Sequence, residues 1–121
     1  MLGEKTAEQI AQRWLDAWNS HNLDEILSHY GEEVQFFSPL ITKLLKDPSG
    51  KIQGKSALRA YFAQGLMAYP NLKFEPIQVL TGVNSLVIYY RSVQNLFAAE
   101  FMVIDDQNLI THVQAHYSSS V

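Results

Sequence analysis

The chain has 121 residues, 47% of them hydrophobic and 17% charged, the proportions of one globular domain that buries about two thirds of its unfolded surface without metal or disulfide help. Nine Lys and Arg against twelve Asp and Glu give a formal charge of −3 with no clustered basic face, which argues against nucleic acid as the main partner. Disulfides, thiolate chemistry and cysteine metal sites are excluded because there is no cysteine; the opening Met1 to Thr6 lacks the apolar core of a signal peptide and no run reaches membrane-spanning length, so no membrane partner and a cytoplasmic home are expected.

Thr6-Ala7-Glu8-Gln9 has the form of a capping box, and Ala7, Ile10, Ala11, Trp14, Leu15 and Trp18 then recur at helical spacing, predicting an amphipathic helix to about Ser20. Trp14 and Trp18 lie one turn apart on its apolar stripe, where they serve either as plain core or, with Phe37 and Tyr61, as the wall of an aromatic pocket for a flat apolar molecule. Asn22-Leu23-Asp24-Glu25 starts a second, short helix with Ile26, Leu27 and Tyr30 facing inward and Gly31 as its stop. Val34 to Ser38 reads as a first strand, halted by Pro39. Leu40 to Gln53 holds the turn signal Asp47-Pro48-Ser49-Gly50 beside an apolar patch of Leu40, Ile41, Leu44 and Leu45, a short helix or a lid. From Gly54 the period is helical again, with Leu58, Tyr61, Phe62, Leu66 and Tyr69 on one stripe until Pro70. Leu72 to Thr81 and Ser85 to Ser92 are strands that meet across Gly82-Val83-Asn84, and Val93-Gln94-Asn95 leads into a final hairpin.

That hairpin runs Leu96 to Ile104, turns at Asp105-Asp106-Gln107-Asn108 and returns from Leu109 to Tyr117. Pairing Ile104 with Leu109 sorts its side chains into two faces, since strand residues alternate. One face carries Ala98, Glu100, Met102 and Ile104 beside Thr111, Val113, Ala115 and Tyr117; the other carries Phe97, Phe101, His112, Gln114 and His116. The same alternation adds Leu86, Ile88 and Tyr90 to the first face, making Tyr90 and Tyr117 the candidate hydroxyl neighbours of Glu100.

Glu100 is the one acid on that apolar face, and a carboxyl in such surroundings either finds a partner or stays protonated with a raised pKa. It is a structural acid held by a tyrosine or backbone amide, or it is a general acid and hydrogen-bond donor to a ligand carbonyl. As the candidate catalytic residue it would have Trp14, Trp18, Phe37, Tyr61, Tyr90 and Tyr117 as its ligand-binding surround. His112 and His116 alternate on the opposite face without a third ligand, so no metal site and no cofactor are expected; with Phe97, Phe101 and Tyr89 they suit the interface of a homodimer. His21 and His29 sit at helix ends, where the helix dipole accounts for them, and nothing beside Ser38 would activate it as a nucleophile. Helices followed by a run of strands, with no internal repeat or linker, predict a single α+β domain over 1–121. Its curved antiparallel or mixed sheet would wrap around about three helices of the N-terminal half, forming a cone with an internal pocket.

Trp14, Asn22-Leu23-Asp24-Glu25, the run Tyr30 to Pro39, Gly54 to Phe62 and the final hairpin together resemble the SnoaL-like branch of the nuclear transport factor 2 superfamily, with its cystatin-like cone. The resemblance covers nearly the whole chain and bears on fold more than on activity. It implies a cone-shaped domain, often dimeric through the outer sheet face, among isomerases, polyketide cyclases, epoxide hydrolases, dehydratases and proteins without a known reaction. Compared with the ketosteroid isomerases, Trp14 takes the place of the oxyanion-hole tyrosine, Ser38 that of the aspartate base, and Glu100 that of the late-strand acid. Without the base, isomerisation by that route is not expected. Polyketide cyclases also rely on a late-strand acid, whereas the Asp-Arg-Asp set of the epoxide hydrolases has no counterpart, Arg91 being out of phase with the pocket. Two readings follow. One is a small-molecule-binding domain whose apolar pocket is anchored by a protonated Glu100, with cofactor-free isomerase-, cyclase- or dehydratase-like chemistry on an apolar carbonyl compound. The other is a non-catalytic interaction or scaffold domain that dimerises through its outer sheet face.

Overall fold

A computed structural model describes residues 1–119. In chain order it contains α1 (Glu4–Ser20), α2 (Leu23–Leu27), β1 (Tyr30–Phe37), α3 (Pro39–Leu45), β2 (Lys51–Gln53), α4 (Lys55–Ala68), β3 (Glu75–Thr81), β4 (Ser85–Arg91), β5 (Phe97–Ile104) and β6 (Ile110–Ser118). The six strands form one sheet in the order β2-β1-β6-β5-β4-β3, antiparallel except where β1 lies parallel to β6. α1 buries Ala7, Ile10, Ala11, Trp14, Leu15, Ala17 and Trp18, and α4 buries Leu58, Tyr61 and Phe62, so both amphipathic stripes close on one face of the curved sheet. This is the α+β cone with a mixed sheet. No helix among the described residues is long and apolar enough to cross a membrane.

Local physics moves several boundaries from where the sequence pattern puts them. α1 begins at Glu4 behind Gly3, which has no side chain to cap it, and Thr6 lies inside the first turn instead of forming a capping box. Leu2 anchors this start: it is 9% exposed, and its N–H donates to the Val83 carbonyl at 2.8 Å. Asn22 caps α2 as expected, accepting from the Glu25 N–H at 3.1 Å. Gly31, by contrast, ends no helix; α2 closes at Ser28, and Tyr30 already pairs with Ile110 in the parallel ladder. Pro39 stops β1 and at once starts α3, where a missing N–H costs nothing, with the Ser38 hydroxyl accepting from the Leu40 N–H at 3.1 Å. The apolar patch after Pro39 takes the short-helix form of its two expected forms, which brings the α-helices among the described residues to four; β2 stands beyond the sequence pattern because three residues are too few to show a period. Gly54, at φ 88°, makes the turn from β2 into α4.

The final hairpin carries a bulge at its turn end. Val103 pairs with His112 and Ile104 with Ile110, which leaves Thr111 as the extra residue and Leu109 in the turn. Ile110 therefore takes the fully buried place expected of Leu109 and Thr111. Beyond the bulge the ladder is regular. Glu100 stands opposite Ala115 on one side and Ile88 on the other, and Ala98 lies between Tyr117 and Tyr90.

Candidate functional site

A cavity of about 60 Å³ opens between α1, α4 and the concave face of the sheet. Trp14 and Trp18 reach it from α1, Tyr61 from α4, and Tyr90, Glu100 and Tyr117 from neighbouring inner positions of β4, β5 and β6. Phe37 does not. It points to the opposite sheet face, where its ring lies 5.5 Å from that of His112 and the Lys51 ammonium sits 5.6 Å above it. Adjacent strand residues face opposite ways, so Phe36 fills the place expected of Phe37 and packs 5.4 Å from Phe62. The phase of Val34, buried on β1, marks Phe36 and Ser38 as the inner pair.

Aromatic rings build the wall. Trp14 stacks on Phe74 at 5.7 Å and meets Tyr90 edge-on at 5.3 Å; Trp18 lies 4.7 Å from Phe62 and 5.5 Å from Phe74. The sequence pattern puts Phe74 inside a strand from Leu72 and Tyr30 in a helix core, and neither in the pocket wall; β3 starts only at Glu75. Phe74 precedes β3 in an irregular segment without a period, held by Asn19, whose side chain both donates to the Phe74 carbonyl and accepts from its N–H. Tyr30 reads as helix core, yet its hydroxyl accepts from Trp14 Nε1 at 2.9 Å across 16 residues of sequence.

Glu100 is 3% exposed and holds the polar centre of the wall. Its Oε1 accepts from the Tyr90 hydroxyl at 2.8 Å, while Oε2 has no hydrogen-bond partner among the described residues. Burial pushes its carboxyl up to about 7 from 4.5, and the Tyr90 hydrogen bond offsets only part of that rise. Burial, reinforced by the nearby Glu100 charge, also raises the hydroxyls of Tyr30, Tyr61, Tyr90 and Tyr117, so all four stay protonated donors. A half-protonated carboxyl near neutrality, among neutral phenols and apolar rings, can donate a hydrogen bond to a carbonyl or accept a proton from an activated carbon.

The remaining candidates lie elsewhere. Ser38 is buried as the cap of α3 and lines the cavity, with no acid or imidazole bonded to it. Arg91 lies with its guanidinium 4.5 Å over the Phe97 ring and bonded to Asn95, outside the cavity. On the outer face the Gln114 side-chain nitrogen lies 3.2 Å from His112 Nε2, and the Gln114 backbone carbonyl lies 3.1 Å from His116 Nδ1. Among the described residues no three His, Asp or Glu side chains converge as metal ligands would. His21 closes α1 in a left-handed turn and its ring bonds the Leu72 carbonyl at 2.7 Å, a structural contact.

Comparison with known proteins agrees with this architecture. A SnoaL-like protein of unknown function from Burkholderia thailandensis is 37% identical over 96% of this chain and 97% of its own, with a TM-score of 0.92. A Kribbella flavida protein provisionally named a ketosteroid isomerase superposes at TM-score 0.75 with 16% identity, covering 97% of this chain and 81% of that one. A Methylobium petroleophilum protein of unknown function with a cystatin-like fold gives 0.77 with 15% identity, over 99% and 80% of the two chains; these last two likenesses concern the fold alone. No curated protein matches. The family model described as a SnoaL-like domain matches residues 11–99, and together with the near-complete overlap with the Burkholderia thailandensis structure this shows that the chain belongs to the SnoaL-like domain family.

Proposed function

We propose that this SnoaL-like domain binds a small apolar carbonyl compound, with Glu100 as the protonated anchor that donates to the carbonyl oxygen and Tyr90 as the residue that orients it. The observation that carries this reading is the unpartnered Oε2 of Glu100, a buried carboxyl oxygen on the wall of an apolar cavity. A buried polar atom without a partner is costly, and native cores hold few of them. A Glu100 proton donated to a bound carbonyl would polarise it toward the enol, the common first demand of isomerase-, cyclase- and dehydratase-like chemistry, and no cofactor enters that step. With Ser38 engaged as a helix cap, no carboxylate base stands where the ketosteroid isomerases have theirs, so a proton leaving carbon would go to Glu100 itself or to solvent. The test is a carbon-detected NMR titration of the Glu100 carboxyl, with Glu100→Gln as the assignment control and a panel of apolar ketones. A pKa near 7 that moves on ketone addition supports the anchor role, and an unshifted, ligand-blind carboxyl rejects it.

One observation favours a second reading, a scaffold domain that works as a homodimer. At about 60 Å³ the cavity is well below the roughly 300 Å³ at which ordinary ligand sites begin, because Trp14, Trp18, Phe62 and Phe74 fill much of the cone. The outer face of β4 to β6, with Tyr89, Phe97, Phe101 and His112 half-buried, would then be the working surface against a second copy. A ligand-blind Glu100 combined with twice the chain mass in sedimentation would decide for this reading.

A further inference from the structure

The cavity holds a second orphan. Among the described residues only two buried side-chain polar atoms lack a hydrogen-bond partner, Glu100 Oε2 and Trp18 Nε1, and both residues line the same small space. Trp18 is 7% exposed, and its ring is clamped by Phe62 and Phe74, so its N–H has little freedom to turn toward a protein acceptor. The contrast with Trp14, one turn earlier on α1, is direct: that indole is satisfied by the Tyr30 hydroxyl. Trp18 also acts on that hydroxyl, and its N–H helps hold the Tyr30 pKa down against burial, but its Nε1 falls outside hydrogen-bond geometry, so Tyr30 is a neighbour of this donor and satisfies only Trp14. An indole N–H can only donate, so whatever completes it must carry an acceptor.

The Trp14 ring neighbours both parts of the site, its centroid 6.3 Å from that of Trp18 and 5.3 Å from that of Tyr90, the residue that holds Glu100. We propose that the Trp18 indole N–H is the second fixing point of the site, and that its ligand is a slim, largely apolar compound bearing two acceptor oxygens. One oxygen is a carbonyl at Glu100 and the other an ether, carbonyl or hydroxyl oxygen at Trp18. This rests on the reading of Glu100 as the ligand anchor. The cavity volume sets the width: at about 60 Å³ it admits a narrow polar segment, and any bulkier part of the ligand extends past the half-buried Leu40, Leu44 and Tyr69 at the rim. Recognition through two spaced donors in an apolar setting rejects analogues lacking either oxygen, because the deserted donor is left unpaired.

Two isosteric probes separate the claims. 4-Methoxybutan-2-one and hexan-2-one have the same length and the same ketone, and only the first has the second oxygen. The chain has two tryptophans, so a nitrogen-15 spectrum contains two indole resonances, which Trp14→Phe or Trp18→Phe assigns. The ether-ketone should move both the Trp18 indole and the Glu100 carboxyl, and hexan-2-one the carboxyl alone. Trp18→Phe should weaken 4-methoxybutan-2-one roughly fivefold to tenfold more than it weakens hexan-2-one, the difference between the two ligands reporting the lost N–H apart from any change in the wall. If Trp18→Phe does not fold, the wild-type resonance assigned through Trp14→Phe decides alone. Ketones that move Glu100 while the Trp18 resonance stays still would overturn the two-oxygen inference, leaving water as the completing acceptor and the Glu100 anchor intact. A Glu100 carboxyl blind to both probes would overturn both proposals together.

Discussion

The two faces of the β5–β6 hairpin carry polar groups under opposite conditions. On the outer face His112, Gln114 and His116 bond one another and reach solvent, with His116 exposed. On the inner face Glu100 is the sole buried acid or base among the described residues, and one of its oxygens is unpartnered. Alternation in a single strand pair produces both. A polar side chain turned outward keeps its water and needs no further account, whereas one turned inward loses water and must recover it from the protein or from something bound. Desolvation therefore bears on the inner carboxyl and not on the outer imidazoles, which makes the inner face the first place to test for function.

Three experiments would break or sharpen that contrast. The largest effect is a pH dependence of stability owned by Glu100. Its folded pKa of about 7 lies above the unfolded 4.5, so the folded state holds the proton more tightly. The resulting stabilisation is fully present below about pH 4.5, is lost as pH rises through the folded value, and is flat above it, a change of about 3 kcal/mol. Urea unfolding of the wild type against Glu100→Gln from pH 4 to 8 checks this; parallel curves would mean that Glu100 feels no burial. Next, Tyr90→Phe removes the only hydrogen bond that the described residues make to the carboxyl. Because that bond favours the ionised form, its loss should raise the Glu100 pKa further and cost about 1.5–3 kcal/mol at pH 8, less at pH 5. A pKa that falls in the variant would contradict the geometry. The smallest effect belongs outside: His116→Ala at the exposed position should change stability by less than about 0.5 kcal/mol. A cost above about 1 kcal/mol that grows with protein concentration would show the outer face to be buried in an assembly, and would erase the contrast there.

Much of the architecture was legible because it follows from local period. The apolar stripe of α1, the stripe of α4 and the alternation of β4 and β5 each state which side chains face inward, and Tyr90 beside Glu100 follows from two alternations in register. Where a period was absent, reading stopped. β2 has three residues, Phe74 sits in an irregular segment, and the bulge at Thr111 leaves no mark in composition. The choice of Phe37 over Phe36 had a different source: two adjacent aromatics in one strand must face opposite ways, and only the buried Val34 breaks the tie.

By itself the amino-acid order determined the class of fold, the single acid on the inner face and the aromatic character of the wall, since these depend on backbone geometry repeated every two or every 3.6 residues. Only the tertiary structure decided which buried polar atoms are satisfied. Trp14 reaches Tyr30 across 16 positions and Tyr90 reaches Glu100 across 10, while Trp18 Nε1 and Oε2 of Glu100 close no hydrogen bond in good geometry among the described residues. Hydrogen bonds depend on tenths of an ångström between elements distant in sequence, and the width of the cavity depends on how far α1 and α4 stand from the sheet; neither distance is encoded in a local pattern.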